Sequence, residues 1–225
     1  MNRPPGLQAS RPALLRRVAD LVPSSAGADC VRVGVDGVDG SGKTMFADEL
    51  AGVVRGLRRH VVRVAADDFH NVRAIRHQRG RSSPAGFWLD SYNYARLRAD
   101  VLDPLGPGGS REYRPAAHDL RTDEILSPPA RTAPPGAVLI LDGLFLHRDE
   151  LAGVWDLSIF LDVPFEVAAR RMSGRDGTSP DPRDPSLRRY VAAQELYFAA
   201  CEPRQRAGIV VDNSSIANPL VVSVC

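Results

Sequence analysis

Residues 37–44, Gly37-Val38-Asp39-Gly40-Ser41-Gly42-Lys43-Thr44, carry the most specific chemistry in this sequence. They match GxxxxGK followed by Ser or Thr in full. Glycines let the backbone turn so that successive N–H groups point inward at phosphate oxygens. A helix starting just after the loop adds its positive end. Lys43 supplies a mobile point charge for the β- and γ-phosphates, and Thr44 a hydroxyl for magnesium. The candidate nucleotide contacts are therefore Gly37, Asp39, Gly40, Ser41, Gly42, Lys43, Thr44 and the adjoining Met45. The competing reading, a chance glycine-rich turn, would require the full match, a preceding strand and a following helix to coincide by accident.

Phosphoryl transfer also needs carboxylates, to hold a metal and to take the acceptor's proton. Asp142 ends the apolar run Val138-Leu139-Ile140-Leu141, and with Thr44 it is the candidate metal pair. Asp67 and Asp68 end another β-branched run. Neighbouring side chains there point different ways, so one of them, Asp67, is expected to face the phosphate as the base. The blander alternative makes both of them solvated turn residues.

These groups must be positioned by a scaffold. Leu14, Leu15, Val18, Leu21 and Val22 recur at helical spacing over 12–22. Val31, Val33 and Val35 alternate into Asp36. Helices are expected over 43–57, 94–105, 165–172 and 187–200, and strands over 31–36, 60–66, 138–141, 157–161 and 209–211. Residues 71–90, with Arg73, Arg76, Arg79 and Arg81, read as a mobile polar loop, as do 173–185. The Gly/Pro-rich stretches 103–115 and 127–136 read as ordered loops, and 214–225 carries little signal. Strands alternating with helices predict an α/β fold with a mainly parallel sheet covered on both faces. Ligands of such sheets sit at the carboxyl ends of the strands, where Asp36, Asp67, Asp142 and Asp162 all fall.

The 225 residues suit one α/β domain with functional loops. With 44% hydrophobic and 25% charged residues, the composition is that of a globular protein. A net charge of +2 gives no overall field toward nucleic acid or a membrane. Cys30, Cys201 and Cys225 are far apart and form no CxxC pair, which suits a reducing cytoplasm and argues against a zinc site. No stretch reads as a membrane helix or a secretory leader.

With these residues in place, the chain resembles the uridine kinase family of P-loop kinases, whose wider group includes phosphoribulokinase-like and pantothenate kinase-like enzymes. GVDGSGKT, DDFH, SYN, YRPAAH, LILDGLFL, WDLSIFLDVPFE, RRMSGRD, RRYVAAQELY and AGIVVDN follow one another in the family's order, over about 31–213. The resemblance implies a three-layer P-loop NTPase fold, ATP and magnesium, a small nucleoside-like acceptor and a mobile arginine-bearing lid. By position it makes Asp67 the catalytic acid–base residue and gives Asp142 the metal role of a Glu. Arg170, Arg171 and Arg175 match the lid, Arg175 being counted with Asp67 and Lys43 in the catalytic set. His70, Asn93, Tyr113, His118, Arg189 and Gln194 are placed, with Asp67, around the acceptor. Departures fall on the acceptor side. His70 stands for a common Tyr, Asn93 for a ribose-gripping Asp, and Arg114-Pro115 for an acidic–aromatic pair.

Read from the residues alone, arginines at a hinge can swing over a triphosphate and neutralise its charge. They equally suit the negative end of a solvated helix. Trp88, Phe87 and Tyr92 could stack a base or simply pack a loop, and Trp155 and Phe160 read as core. The expected function is transfer of the γ-phosphate of ATP to a ribose 5′-hydroxyl. Kinases for another small alcohol (pantothenate, a sugar phosphate, nicotinamide riboside), a nucleoside monophosphate kinase and a nucleotide-dependent regulator are the alternatives. A homo-oligomer is compatible with all of them.

Overall fold

The computed structural model describes residues 10–25 and 27–224, which leaves Cys225 outside the described residues. Ten strands follow in chain order: β1 Val31–Gly37, β2 Val61–Ala65, β3 Glu112–Tyr113, β4 His118–Asp119, β5 Glu124–Ile125, β6 Arg131–Thr132, β7 Val138–Asp142, β8 Leu157–Asp162, β9 Ile209–Asp212 and β10 Leu220–Val224. The helices are α1 Arg11–Asp20, α2 Lys43–Gly56, α3 Arg73–Arg76, α4 Pro84–Asp90, α5 Tyr94–Leu97, α6 Phe165–Asp176, α7 Arg188–Cys201 and α8 Pro203–Arg206. A π turn, Arg98–Leu102, continues α5.

The main sheet has the order β10-β9-β8-β1-β7-β2. All its pairings are parallel except β10 on β9. Strand β1 lies between β8 and β7, so the chain leaving it enters the middle of the sheet's carboxyl edge. That is where α/β sheets open a crevice for ligands.

Period-two alternation sorts the buried strands into two cores. Val33, Val35, Val138, Ile140, Ile159 and Leu161 face α1 and α2, meeting Leu14, Val18, Phe46 and Leu50. Leu139, Leu141, Val62 and Val64 face the other way, toward Phe87, Tyr92, Leu97, Phe145 and Tyr197. Both faces are thus covered, as the run of apolar residues in β7 requires. Cys30 and Cys201 are buried free thiols. Phe160 is buried, and Trp155 packs partly exposed against the second core, its indole N–H donating to the Leu146 carbonyl at 2.8 Å.

Four expectations need correction. Residues 71–90 contain α3 and α4 rather than an unbroken loop. Ser83 caps α4 by accepting the Gly86 N–H at 3.0 Å, Pro84 opens it, and Phe87 and Trp88 anchor it to the core. Helix α6 runs on to Asp176 and stops at Gly177, whose φ of 69° is left-handed, so the following loop begins later than 173. The Gly/Pro-rich stretches hold the short strands β3 and β6, which pair with each other. The last segment forms β10, an antiparallel edge strand whose Val221, Val222 and Val224 sit in a run too short and too exposed to announce itself.

Candidate active site

The loop between β1 and α2 is held in shape from behind. Gly40 has φ 75°, and a Cβ there would lie 2.5 Å from the Ala168 carbonyl oxygen. Gly42 has φ 88°, and a Cβ would meet Asn213 Nδ2 at 3.2 Å. Both positions need glycine for conformation and for space. Asn213 Nδ2 donates to the Ser41 carbonyl at 2.7 Å, and Arg11 donates to Asn213 Oδ1 at 3.1 Å. Gln194 Oε1, from α7, accepts the Asp39 N–H at 2.8 Å. Lys43 Nζ donates to the Val38 carbonyl at 2.9 Å, curling over the loop.

One step before the loop, Asp36 is fully buried. Its Oδ1 accepts the Gly37 N–H at 2.6 Å. Its Oδ2 accepts the Tyr197 hydroxyl at 2.5 Å and the Leu146 N–H at 3.0 Å, with His147 Nδ1 at 2.8 Å. This carboxylate ties β1 to α7 and to the segment after β7. It is a fastening for Gly37, not a phosphate-side group.

Thr44 Oγ1 donates to Asp142 Oδ2 at 2.7 Å, bringing the candidate metal pair together. Arg63 donates to Asp142 Oδ1 at 2.9 Å and to Asp48 at the same distance. Its role was not legible in the sequence, because a β2 arginine reaches Asp142 only through the register that sets Ala65 beside Asp142. Two adjacent oxygen ligands suit a magnesium ion that keeps several waters and binds mainly through phosphate. The residues present therefore fit the ion, with Thr44 and Asp142 to hold it.

Asp67 and Asp68 lie in a 3-10 turn, Ala66–Phe69, just past the end of β2. Asp67 lines a cleft of about 630 Å³ together with Asp39, Gly40, Gly42, Lys43, Thr44, Met45, Asp142, Arg171 and Arg175. Asp68 does not line it, and its carbonyl accepts the Ala117 N–H at 2.9 Å. Burial pushes the Asp68 carboxyl up, and the charges of Asp67 and Asp142 add to this. Desolvation likewise raises Asp39, against the pull of Lys43. Tyr92 donates to Asp67 Oδ1 at 2.9 Å, so this tyrosine orients the candidate base. Burial, then the Asp67 charge, raises the Tyr92 phenol well above its ordinary range and keeps it a donor.

The expected acceptor residues separate into different environments. His70 Nδ1 is 2.7 Å from the Asp67 carbonyl, and its ring lies on Tyr92 with centroids 4.4 Å apart. Burial lowers its pKa, so the ring is neutral and donates from Nδ1. His118 Nε2 lies 3.1 Å from Asp123 Oδ1, while its Nδ1 is buried without a partner. Tyr113 is buried in β3. Asn93 caps α5, its Oδ1 accepting the Arg96 N–H at 3.0 Å, so its carbonyl is committed to the helix. Gln194, expected beside the acceptor, is hydrogen-bonded to the Asp39 N–H of the loop between β1 and α2. Arg189 lies over the Phe87 ring at 5.2 Å.

The three arginines expected to form a lid also divide. Arg171 donates to the carbonyls of Asn213 at 2.7 Å and Ser214 at 2.9 Å, and reaches those of Gly40 and Ser41 at 3.4 Å. Arg175 is exposed and paired with Asp176 at 2.7 Å. Arg170 is exposed. Arg79, in the 71–90 segment, pairs with Asp90 at 2.9 Å.

No protein-family model matches the chain. A uridine kinase of Shewanella pealeana is 29% identical over 158 residues, covering 66% of this chain and 70% of that one. Among solved structures, a possible uridine kinase from Bacillus stearothermophilus superposes with a TM-score of 0.69 at 20% identity, covering 89% of this chain and 96% of that one. A proposed fructose transport system kinase from Silicibacter sp. TM1040 gives a TM-score of 0.62 at 22% identity, covering 88% and 95%.

Proposed function

We propose that this chain, a uridine kinase-like P-loop kinase in sequence and fold, transfers the γ-phosphate of ATP to a hydroxyl of a small acceptor. The observation that carries this is one cleft holding a phosphate loop, a Thr–Asp metal pair and a separate carboxylate, Asp67, oriented by a buried tyrosine. The first acceptors to consider are those the relatives' names suggest: a uridine-like nucleoside, or a sugar such as fructose.

The chemistry follows from the positions. Loop amides and Lys43 hold the triphosphate, so the γ-phosphorus is presented at one end of a fixed cradle. The acceptor hydroxyl approaches from the Asp67 side. As its oxygen bonds to the γ-phosphorus, the bond from that phosphorus to the β–γ bridging oxygen breaks and ADP leaves. Asp67 accepts the hydroxyl proton and later releases it to water. Tyr92, bonded to one Asp67 oxygen, leaves the other for the acceptor. Magnesium, when held by Thr44 and Asp142, supplies neutralising charge for the phosphates. Arg171 and Arg175 stand on the cleft wall, and guanidiniums there would offset the negative charge developed in transfer.

Asp67 is what distinguishes a kinase from a nucleotide-dependent regulator, which needs no aligned base. The test is γ-labelled ATP with uridine, cytidine, fructose and ribose as acceptors, following label on the acceptor against label released as free phosphate. Label on an acceptor supports the kinase. Nucleotide hydrolysis alone, with no labelled acceptor, favours the regulator.

A further inference from the structure

Asp142 is joined to its surroundings through both carboxylate oxygens. Oδ2 accepts the Thr44 hydroxyl, and Oδ1 accepts Arg63 Nη2 at 2.9 Å. The pair lies mostly inside the protein, the Asp142 side chain 4% exposed and that of Arg63 18% exposed. A charge so placed is offset by its partner far more than a charge in open water is. The guanidinium does not give up its proton, so the compensation is permanent.

Arg63 is held by all three of its nitrogens. Nη1 donates to the Ile140 carbonyl at 2.7 Å and reaches the Val64 carbonyl at 3.2 Å. Nε and Nη2 each lie 2.9 Å from Asp48 Oδ1. Asp48 sits about one turn beyond Thr44 on α2, and Asp142 ends β7. One side chain of the edge strand β2 therefore clamps the same two elements that carry the metal pair. It does so from behind. Thr44 and Asp142 line the cleft of about 630 Å³, whereas Arg63 is not among its lining residues. The guanidinium offsets charge without occupying the place of an ion.

Carboxylates are plentiful around this pair. Asp39 and Asp67 line the same cleft. The Asp68 carboxyl is close enough for the charges of Asp67 and Asp142 to act on it. Several uncompensated acids beside a hydroxyl would draw in a divalent cation with no nucleotide present. Arg63 is the cation that bonds directly to Asp142.

Resting on the kinase reading above, we infer that Arg63 is a positioning residue that sets the strength of the metal pair. It holds Asp142 toward Thr44 and offsets enough of its charge that a divalent cation is retained only together with the phosphates. An ion pair that served the fold alone has the opposite signature: its loss would free Asp142 and weaken metal binding. Loss of the charge balance strengthens metal binding.

The sign of the effect is the test. The full chain is titrated with manganese as the probe ion, free manganese being read from its electron-spin signal, first without nucleotide and then with a non-hydrolysable ATP analogue. Arg63→Met should lower the manganese Kd of the nucleotide-free protein at least tenfold. Arg63→Lys, which keeps the charge on a flexible stem, should stay within about threefold of wild type. Combining Arg63→Met with Asp142→Asn should abolish the gain. With ATP, the magnesium half-saturation of ADP release should move downward in Arg63→Met. Should Arg63→Met not fold, Arg63→Gln removes the same charge while keeping a donor, and the same tightening is expected. Unchanged or weaker manganese binding in whichever of these two variants folds would overturn the inference, as would equal tightening in Arg63→Lys. A wild type that does not bind the ATP analogue would count against the kinase, and the nucleotide-free comparison would still decide the role of Arg63.

Discussion

The Thr44 hydroxyl donates to Asp142 Oδ2 at 2.7 Å, joining the first turn of α2 to the end of β7. Neither residue alone is a metal site, and among the described residues no group of three His, Cys, Asp or Glu could hold an ion. The pair becomes useful only with phosphate oxygens completing the shell. Asp142→Asn keeps an oxygen for the Thr44 hydroxyl but removes the charge. Magnesium titration of ADP release should then show half-saturation displaced upward by about tenfold, on the order of 1.4 kcal/mol. An unchanged magnesium curve would remove Asp142 from the metal role.

Gly40→Ala adds one methyl to the loop. That methyl would sit 2.5 Å from the Ala168 carbonyl, at a φ of 75°. The loop must shift, and its amides with it. ATP affinity measured by calorimetry should fall by at least tenfold, with the thermal midpoint of the free protein much less affected than nucleotide binding. Binding at the original strength would show that the amides do not cradle phosphate.

Gln194→Ala leaves the Asp39 N–H without its 2.8 Å partner. A lost hydrogen bond of this kind costs about 1 kcal/mol, and water can reach the opened position. ATP KM should rise about fivefold, and the KM of whichever acceptor is used should move less. The opposite pattern, acceptor KM alone rising, would restore Gln194 to the acceptor side.

His70 gives the fold a pH dependence with a definite sign. Burial holds its pKa below the 6.5 of an exposed ring. Between those two values the unfolded chain binds a proton that the folded chain refuses, so acidification favours unfolding. The contribution is complete above pH 6.5 and is lost as the pH falls toward the folded value. His70→Phe retains a ring against Tyr92 and removes the titration. Denaturant midpoints for this variant should fall less steeply than wild type between about pH 7 and 5.5. Parallel slopes would mean His70 titrates normally in the folded protein.

The readable parts of this protein are local in the chain. The loop motif is eight consecutive residues, and β7 shows its nature in four, so the positions of Lys43 and Thr44 at the start of α2 and of Asp142 at the end of β7 follow from the order of residues alone. The α4 segment is harder, since seven residues give too few turns for periodicity, although Ser83-Pro84 is a usable start signal. The Gln194 contact with the loop and the Arg63 contact with Asp142 are hidden in the sequence for another reason. Each acts through a partner more than 70 positions away, Asp39 and Asp142, which only sheet order and helix docking bring near. Asn93 shows the converse. Its capping of α5 is a local preference of asparagine that can be read from the sequence without any fold.

The central claim is that Asp67 takes the acceptor's proton beside a phosphate loop that works without it. Asp67→Asn tests this when ATP binding and acceptor phosphorylation are measured on the same protein. The Tyr92 hydroxyl can still donate to the side-chain oxygen of the introduced amide, so the site should keep its shape. The expected result is ATP affinity within about twofold of wild type and turnover reduced by about 100-fold or more, the scale of a lost general base. Undiminished turnover would contradict the account, as would a loss of ATP binding equal to the loss of rate.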